Sequence, residues 1–511
     1  MHPTDWTLHR LMADAGLRTI DAARWPDVPI RGLADDSRQV APGFCFVALR
    51  GTRQDGHDFV EAAVKNGAVV VFSERPVAVP RSVVAVQVPD TRSAVAHLAA
   101  TFYGVNRCRN GQRLRLIGVT GTNGKSTTCR ILQSILQAAG HRTAVVGTLG
   151  YDLLDGSVPA PLTTPPPIEL CAYLSRAIDA GGAYAVMEVS SHASDQRRCD
   201  GLSFDAAVFT NLTGDHFDYH GTRDAYLRAK KRLFDGLEPD AAAMVNDDDP
   251  AATEMVADCR APVIRYGISN PRLEVTAEIR AISLSGSELE IRFGGSTMAV
   301  RTTLIGRHNT SNVLAAVGTA YKLGIPAEEI AAGVERVGLV RGRLQRVELE
   351  GCPISVLVDY AHTDDALDNA LSTLKPLTIG RLICVFGCGG DRDRTKRPRM
   401  GAVVSRLADI AWVTSDNPRS EDPGAIINEI LPGMAAGARC KTYVEPDRKS
   451  AIGQAIAMAE AGDTILIAGK GHEDYQIIGR DTIHFDDVEV AAEALGQVDL
   501  TGPRLRGVSR V

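Results

Sequence analysis

The chain has 511 residues, 44% apolar and 23% charged, with 62 acidic against 56 basic side chains and a formal charge of -6. This length exceeds a single hydrophobic core and implies about three domains. The balance is that of a soluble globular protein, gives no reason to expect nucleic acid as the main partner, and contains no apolar run near the roughly 20 residues of a membrane span. The opening Met1-His2-Pro3-Thr4-Asp5-Trp6 lacks the basic and apolar regions of a signal peptide. The ten cysteines are scattered, and the closest pair, Cys384 and Cys388, fits neither a zinc pattern nor a disulfide framework. Reduced thiols and a cytoplasmic location are expected.

Residues 1–108 read as a small α/β domain. Short apolar runs at 44–49, 68–72 and 83–88 alternate with helical stretches at 59–66 and 93–103. Polar loops at 35–38 (Asp-Asp-Ser-Arg) and 51–57 flank the first run, and 109–112 reads as a linker.

The stretch 114–130 carries the strongest signal. An apolar run enters Thr120-Gly121-Thr122-Asn123-Gly124-Lys125-Ser126-Thr127, and apolar residues at helical spacing follow (Ile131, Leu132, Ile135, Leu136). Strand, glycine loop and helix in that order make a phosphate cradle. Unpaired N–H groups at the helix start attract anions, a lysine reaches the outer phosphates, and a neighbouring hydroxyl can hold Mg²⁺. Val119 stands where the strict GxxxxGK[ST] pattern has its first glycine, so the loop is a shorter form. Apolar runs at 143–149, 183–189, 206–212 and 241–245, mostly separated by helical stretches, predict a largely parallel sheet covered by helices over 113–340. Ligands in such sheets bind at the strand C-termini. The polar clusters at 162–165, 187–192 and 211–220 fall there. Glu188 beside a phosphate loop is a natural Mg²⁺ ligand. His216 taken alone reads as structural. Lys230, within 226–234, reads as an exposed helical lysine that periodicity does not separate from Lys231. Residues 271–302 alternate like a hairpin insertion, and Asn309 is a candidate N-cap for a helix over 310–323.

Residues 341–511 show five further apolar runs, at 354–360, 382–386, 411–414, 442–444 and 464–468, and read as a second α/β unit of Rossmann type. Polar clusters again follow strands, at 359–362, 387–393, 415–419 and 469–473. The run 391–399 holds five basic and two acidic residues and reads as a solvated face, although it follows a strand C-terminus. The glycines near Gly389 do not form GxGxxG, so a dinucleotide site is not supported.

In family order, the segments 120–126, 188–192, 211–220, 226–234, 306–309 (Gly-Arg-His-Asn), 342–345 (Gly-Arg-Leu-Gln) and 359–362 (Asp-Tyr-Ala-His) resemble the motifs of the Mur ligases. These are cytosolic ATP-dependent enzymes that form the amide bonds of the peptidoglycan stem peptide. Within the family the chain is most similar to the branch adding the third residue. Asp36-Ser37-Arg38, Thr163-Thr164, Gly389-Gly390-Asp391-Arg392 and 469–473 fit it, and Asp416-Asn417-Pro418-Arg419 resembles its signature for meso-2,6-diaminopimelate. Lysine-adding relatives differ there. Two departures are Asp364, where Pro often stands, and Ser126, which replaces a common Thr but keeps the hydroxyl.

The resemblance implies three functional units: a UDP-sugar-binding domain over 1–108, an ATP-binding domain over 113–340 and an amino-acid-binding Rossmann-like domain over 341–511. It implies ATP, two Mg²⁺ ions, and UDP-N-acetylmuramoyl-L-alanyl-D-glutamate and meso-diaminopimelate as substrates of a monomer. Gly121, Thr122, Asn123, Gly124, Lys125, Ser126, Thr127, His308, Asn309 and Arg343 would hold the nucleotide. Ser126, Thr127, Glu188, His216 and Lys230 would hold metal, with Lys230 carbamylated by CO₂; Lys125, Lys230 and His216 carry the catalytic roles. Asp35, Ser37, Thr52, Arg53, Gln54, Thr163, Thr164, Ser190, Gln196 and Arg198 would bind the nucleotide sugar, and Arg392, Asp416, Asn417, Pro418, Arg419, Gly469 and Glu473 the amino acid. Competing readings are a lysine-adding Mur ligase, a folylpolyglutamate synthetase, a P-loop kinase or NTPase, and a non-catalytic nucleotide-binding scaffold.

Overall fold

The computed structural model describes residues 6–17, 25–51, 54–108, 113–349, 351–435 and 440–497. Thr52 and Arg53, expected at the substrate, and the expected linker 109–112 lie outside the described residues.

Three sheets follow one another along the chain. The first has four parallel strands in sequence order, Gly32–Ala34, Phe44–Val47, Ala68–Ser73 and Val84–Gln87. Helix Thr91–Tyr103 packs against it and also against helix Pro167–Asp179 of the middle segment. Its start is set by Asp90, whose carboxylate accepts from Ser93 N at 3.0 Å, and its end by Gly104 in the left-handed conformation.

The second sheet has eleven strands and is centred on Arg115–Thr120. On one side lie Tyr184–Glu188 and Thr143–Gly147, on the other Ala206–Phe209, Ala242–Asn246 and Val263–Gly267, all parallel. These strands are continuous Val/Ala/Ile/Met runs because helices cover both faces. One face packs with the N-terminal segment and helices 167–179 and 223–235 into a single apolar core. The other face meets helices Lys125–Ala138, Arg307–Lys322 and Ala327–Arg336.

Residues 271–302, expected as a hairpin insertion, form a three-stranded meander instead. Val275–Ser283, Gly286–Phe293 and Ser296–Thr302 continue the same sheet, joined to it by a parallel pairing of Tyr266 with Val275. Their inward residues Leu289, Ile291, Phe293 and Val300 belong to the shared core, which is why the segment does not stand apart.

The third sheet orders Gln345–Val347, Ser355–Asp359, Thr464–Ala468, Leu382–Phe386, Ile410–Val413 and Lys441–Val444. The five expected runs are its parallel strands, and Gln345–Val347 adds an antiparallel edge. The run 391–399 is not wholly a solvated face. Arg397 is completely buried and donates to Glu421 at 2.8 and 3.0 Å and to Glu429 at 2.9 Å. Its place in helix Lys396–Leu407 puts it in line with buried Met400, Gly401 and Val404.

Candidate functional site

The parallel ladder brings the ends of three strands level. Glu188 pairs with Val119, and Thr120 with Phe209, so the glycine loop, Glu188 and the 210–220 loop emerge together. The loop geometry requires glycine at two points. Gly121 has φ +148° and a Cβ there would fall 1.9 Å from Thr210 Oγ1; Gly124 has φ +86° and a Cβ would fall 2.3 Å from Asn312 Oδ1. The loop is further tied down by Thr122 N donating to Asn211 O (2.8 Å) and Asn123 N to Asn211 Oδ1 (2.9 Å). Helix Lys125–Ala138 starts directly behind it, with Ser126 and Thr127 buried in its first turn.

Glu188 is a buried carboxylate with polar but no cationic partners among the described residues. It accepts from Ser126 Oγ (2.8 Å), Thr148 N (2.9 Å) and Thr148 Oγ1 (3.2 Å). Lys125 Nζ curls back to Gly121 O (3.0 Å) and Thr122 O (2.8 Å), and burial pushes its pKa down.

Lys230 departs most from its expectation. It is 1% exposed, donates to Gly121 O at 2.7 Å, and lies 4.5 Å from the Tyr226 ring centroid. Burial first, and repulsion from Lys125 second, hold its pKa well below the ordinary lysine value. It lies on the inward stripe of helix Arg223–Asp235 with Tyr226, Leu227, Leu233 and Phe234, whereas Lys231 reaches Asp235 and Asp258 at the surface.

His216 caps the short helix Phe217–His220 in the left-handed conformation, φ 55°. Its ring stands edge-on to His192 at 4.8 Å and 6.3 Å from Tyr226. Desolvation lowers its pKa to about 4 against the pull of Asp215, so it is neutral near pH 7. Among the described residues no three His, Cys, Asp or Glu side chains make a metal site by themselves. The donor set present, one buried carboxylate with hydroxyls beside a phosphate loop, suits Mg²⁺, which keeps water and phosphate oxygens as ligands.

The C-terminal segment closes over this loop. Arg343 donates to Ser126 Oγ (3.4 Å) and stacks on Tyr360 (4.7 Å), and Asn123 Nδ2 donates to Asp365 Oδ2 (2.9 Å). Asp365 is not singled out from sequence, since only the tertiary fold brings it to a loop more than two hundred residues away. Asn309 is not the expected N-cap. The helix begins at Arg307 behind Gly306, and Asn309 lies one turn in, buried, donating to Ile305 O (2.9 Å). The cause is Gly306, whose φ of +95° supplies the turn into the helix earlier. His308 meets Thr373 across the segments at 3.5 Å, and burial lowers its pKa to about 4.

On the opposite side the N-terminal segment contributes Asp35, whose pKa is raised by burial and, more weakly, by Glu169 of the middle segment. Buried Ser37 offers its carbonyl to Asn66, and Gln54 is exposed. Thr163 meets Thr148 (Oγ1 to Oγ1, 3.1 Å), and Thr164 Oγ1 donates to Glu188 O (2.8 Å) and accepts from Ser190 N (3.1 Å). Arg198 donates to Thr164 O (2.5 Å) and Gln196 Oε1 (2.7 Å), while Ser190 Oγ accepts from Ala193 N (3.2 Å). Thr163, Thr164, Ser190, Gln196 and Arg198 thus form one connected wall beside Glu188.

Arg392, Asp416, Asn417, Pro418, Arg419, Gly469 and Glu473 collect at the strand C-termini of the third sheet. Arg419, in the left-handed region at φ 52°, donates from Nη1 to Gly390 O (2.9 Å), and its N–H to Ile477 O (3.0 Å). Asn417 Nδ2 donates to Glu473 Oε2 at 2.8 Å. Gly469 N donates to Asp359 O (3.0 Å) and its Cα lies against the Asp416 carboxylate. Arg392 Nη1 donates to Asp391 O at the edge of the cluster (3.2 Å).

Fold and loop together define the class: an α/β protein with a glycine loop between a parallel strand and a helix, closed by a further α/β unit. Family models match in three consecutive stretches. They are the Mur ligase family catalytic domain over 29–103, the Mur ligase middle domain over 119–320 and the Mur ligase glutamate ligase domain over 342–471. A Geobacter metallireducens protein named UDP-N-acetylmuramoyl-L-alanyl-D-glutamate--2,6-diaminopimelate ligase is 44% identical, covering 93% of this chain and 95% of its own. A Gloeobacter violaceus protein of the same name is 45% identical, with 96% and 98% covered. A solved structure under that name superposes with a TM-score of 0.68 at 34% identity, covering 95% of this chain and 98% of that one. The chain belongs to the Mur ligase family, and is thus an ATP-dependent amide ligase.

Proposed function

We propose that the chain joins meso-2,6-diaminopimelate to the D-glutamate γ-carboxylate of UDP-N-acetylmuramoyl-L-alanyl-D-glutamate, with ATP cleaved to ADP and phosphate, in peptidoglycan precursor synthesis. The observation that supports this reading is how the glycine loop is flanked: Glu188 and Lys230 lie against it, the 163–198 wall meets Glu188 through Thr164, and the C-terminal segment reaches it through Arg343 to Ser126 and Asp365 to Asn123. The near-full-length relatives of that name support it. The three functional units proposed are 1–108 for the nucleotide sugar, 113–340 for ATP and 341–511 for the amino acid. Among the described residues no helix is long and apolar enough to cross a membrane, and the proposed setting is cytoplasmic.

The γ-carboxylate attacks the terminal phosphorus of ATP, ADP leaves, and an acyl phosphate forms. The free amine then attacks the acyl carbon, loses a proton, and phosphate departs as the amide closes. Bringing two anions together makes positioning and charge neutralisation the main task of the protein. The loop N–H groups of 121–127 other than Thr122 and Asn123, which Asn211 holds, would face the phosphates, and Lys125 would exchange its two loop carbonyls for phosphate oxygens. Arg343 brings a second cation from the closing segment. Ser126, Thr127, Glu188 and His216 are the side chains that would hold magnesium, which when bound neutralises phosphate charge.

Among the described residues Lys230 has no anionic partner at hydrogen-bonding distance, which costs stability unless the amine is neutral or modified. A neutral amine is the form that reacts with CO₂, so a carbamate on Lys230 is part of this proposal. Arg419 and Arg392 suit the carboxylates of the amino acid, and Glu473 and Asp416 its ammonium groups. An alternative, lysine as the amino acid, lacks use for Arg419, because lysine carries no second carboxylate. Phosphate release measured with the nucleotide-sugar dipeptide plus either diaminopimelate or lysine tests the assignment. Release with lysine equal to that with diaminopimelate would refute it.

A further inference from the structure

Lys470 is completely buried at the start of the 470–473 turn, an uncommon place for an ammonium group. Its Nζ lies 3.3 Å from Asn417 Oδ1, 3.3 Å from Glu473 Oε2 and 5.4 Å from the centre of the Tyr475 ring. Asn417, 2% exposed, closes the ring by donating Nδ2 to the same Glu473 oxygen at 2.8 Å. Its Oδ1 also accepts from Ile477 N at 3.0 Å, so the amide can face only one way. The other buried cations nearby are committed elsewhere. Arg448 is paired with Asp487, and Arg397 with Glu421 and Glu429. Burial first, and the Asp416 charge second, push the Glu473 pKa up, and Lys470, at 3.3 Å, is the cation in direct contact that opposes them.

We propose that Lys470 is a positioning residue that fixes Asn417 and keeps Glu473 anionic, and so sets the affinity for the incoming amino acid. The inference rests on the amino-acid-binding reading of these loops. Glu473 Oε1 has no hydrogen bond among the described residues and is the oxygen left for a substrate ammonium. Without Lys470, Asn417 loses one of two donors to its oxygen, and Glu473 loses its only ion pair among the described residues.

The test measures steady-state kinetics of Lys470→Met, Glu473→Gln and the double variant, with each substrate varied in turn. Loss of one charge-assisted partner predicts an amino-acid KM raised roughly 10- to 100-fold in Lys470→Met, with KM for ATP and for the nucleotide sugar unchanged. The double variant should show no larger KM than Glu473→Gln alone, because both changes act on one carboxylate. A lowered kcat with unchanged amino-acid KM, or effects of the two single changes that multiply, would overturn the proposal. If Lys470→Met does not fold, Lys470→Gln is used with the same criteria. Wild-type protein is assayed first with diaminopimelate and with lysine. If it uses an amino acid other than diaminopimelate, the substrate assignment fails, and the Lys470 shift is then read on the amino acid it does use.

Discussion

Replacing Asp487 by Asn should destabilise the C-terminal segment strongly. Arg448 and Asp487 are both fully buried and meet through Nε to Oδ1 at 2.8 Å and Nη2 to Oδ2 at 2.7 Å. The same guanidinium donates to Ser415 O (3.3 Å) and Ala468 O (3.0 Å), the residues just before Asp416 and Gly469. Asn cannot neutralise the guanidinium, and an uncompensated buried charge costs about 3–5 kcal/mol. Against the roughly 5–15 kcal/mol that holds a domain folded, this is a large fraction. At about 2–4 °C per kcal/mol for a domain of this size, the transition should fall by roughly 6–20 °C. Differential scanning calorimetry resolves it, since a chain with several cores need not unfold in one step. The double change Arg448→Met with Asp487→Leu removes both charges and should recover most of the loss. A transition for Asp487→Asn within about 2 °C of wild type would refute the reasoning, because a structural ion pair of this kind cannot be neutral to lose one partner.

Lys230→Ala should abolish amide formation, and a small carboxylic acid such as formate should restore part of it; activity near wild type would remove Lys230 from the site. Arg419→Lys should raise the diaminopimelate KM about tenfold or more, because a point charge cannot replace a planar fork on a carboxylate, and should narrow the preference over lysine. Competition assays with the two amino acids read this out, and an unchanged preference would contradict it. The Arg397 and Arg394 guanidinium groups hold the Glu421 carboxyl far below the ordinary range. A depressed carboxylate stabilises above its unfolded pKa of about 4.5, and that stabilisation is lost as the pH falls below it. Thermal melts of wild type should therefore drop more steeply between about pH 5 and 3 than those of Glu421→Gln. Parallel curves would count against the pair.

Much of the fold was legible because parallel strands buried on both faces must be continuous apolar runs, as at 184–188 and 464–468. The glycine loop was legible for a related reason: two positive φ angles in a tight turn leave glycine as the residue that fits. The errors have a common origin. Lys230 and Arg397 look like solvent residues by type, yet each sits in the apolar register of its helix, Lys230 four residues after Tyr226 and four before Phe234. Reading register before residue type would have marked both as buried cations that need a reason. Asn309 was misplaced because a good capping residue was weighed above the glycine three positions earlier. Asp365 carries no local signal, because its role comes from the packing of the C-terminal segment over the glycine loop. Within 469–473 nothing local marks Lys470 as the buried member of the cluster.

The central claim is that the phosphate loop, the carboxylate to be activated and the attacking amine share one hollow, so that ATP cleavage is coupled to amide formation. Phosphate release by the purified full chain, measured with ATP and Mg²⁺ and with each co-substrate omitted in turn, tests this directly. The account predicts rapid release only when the nucleotide-sugar dipeptide and diaminopimelate are both present. Sustained release from ATP that is indifferent to either one would contradict it.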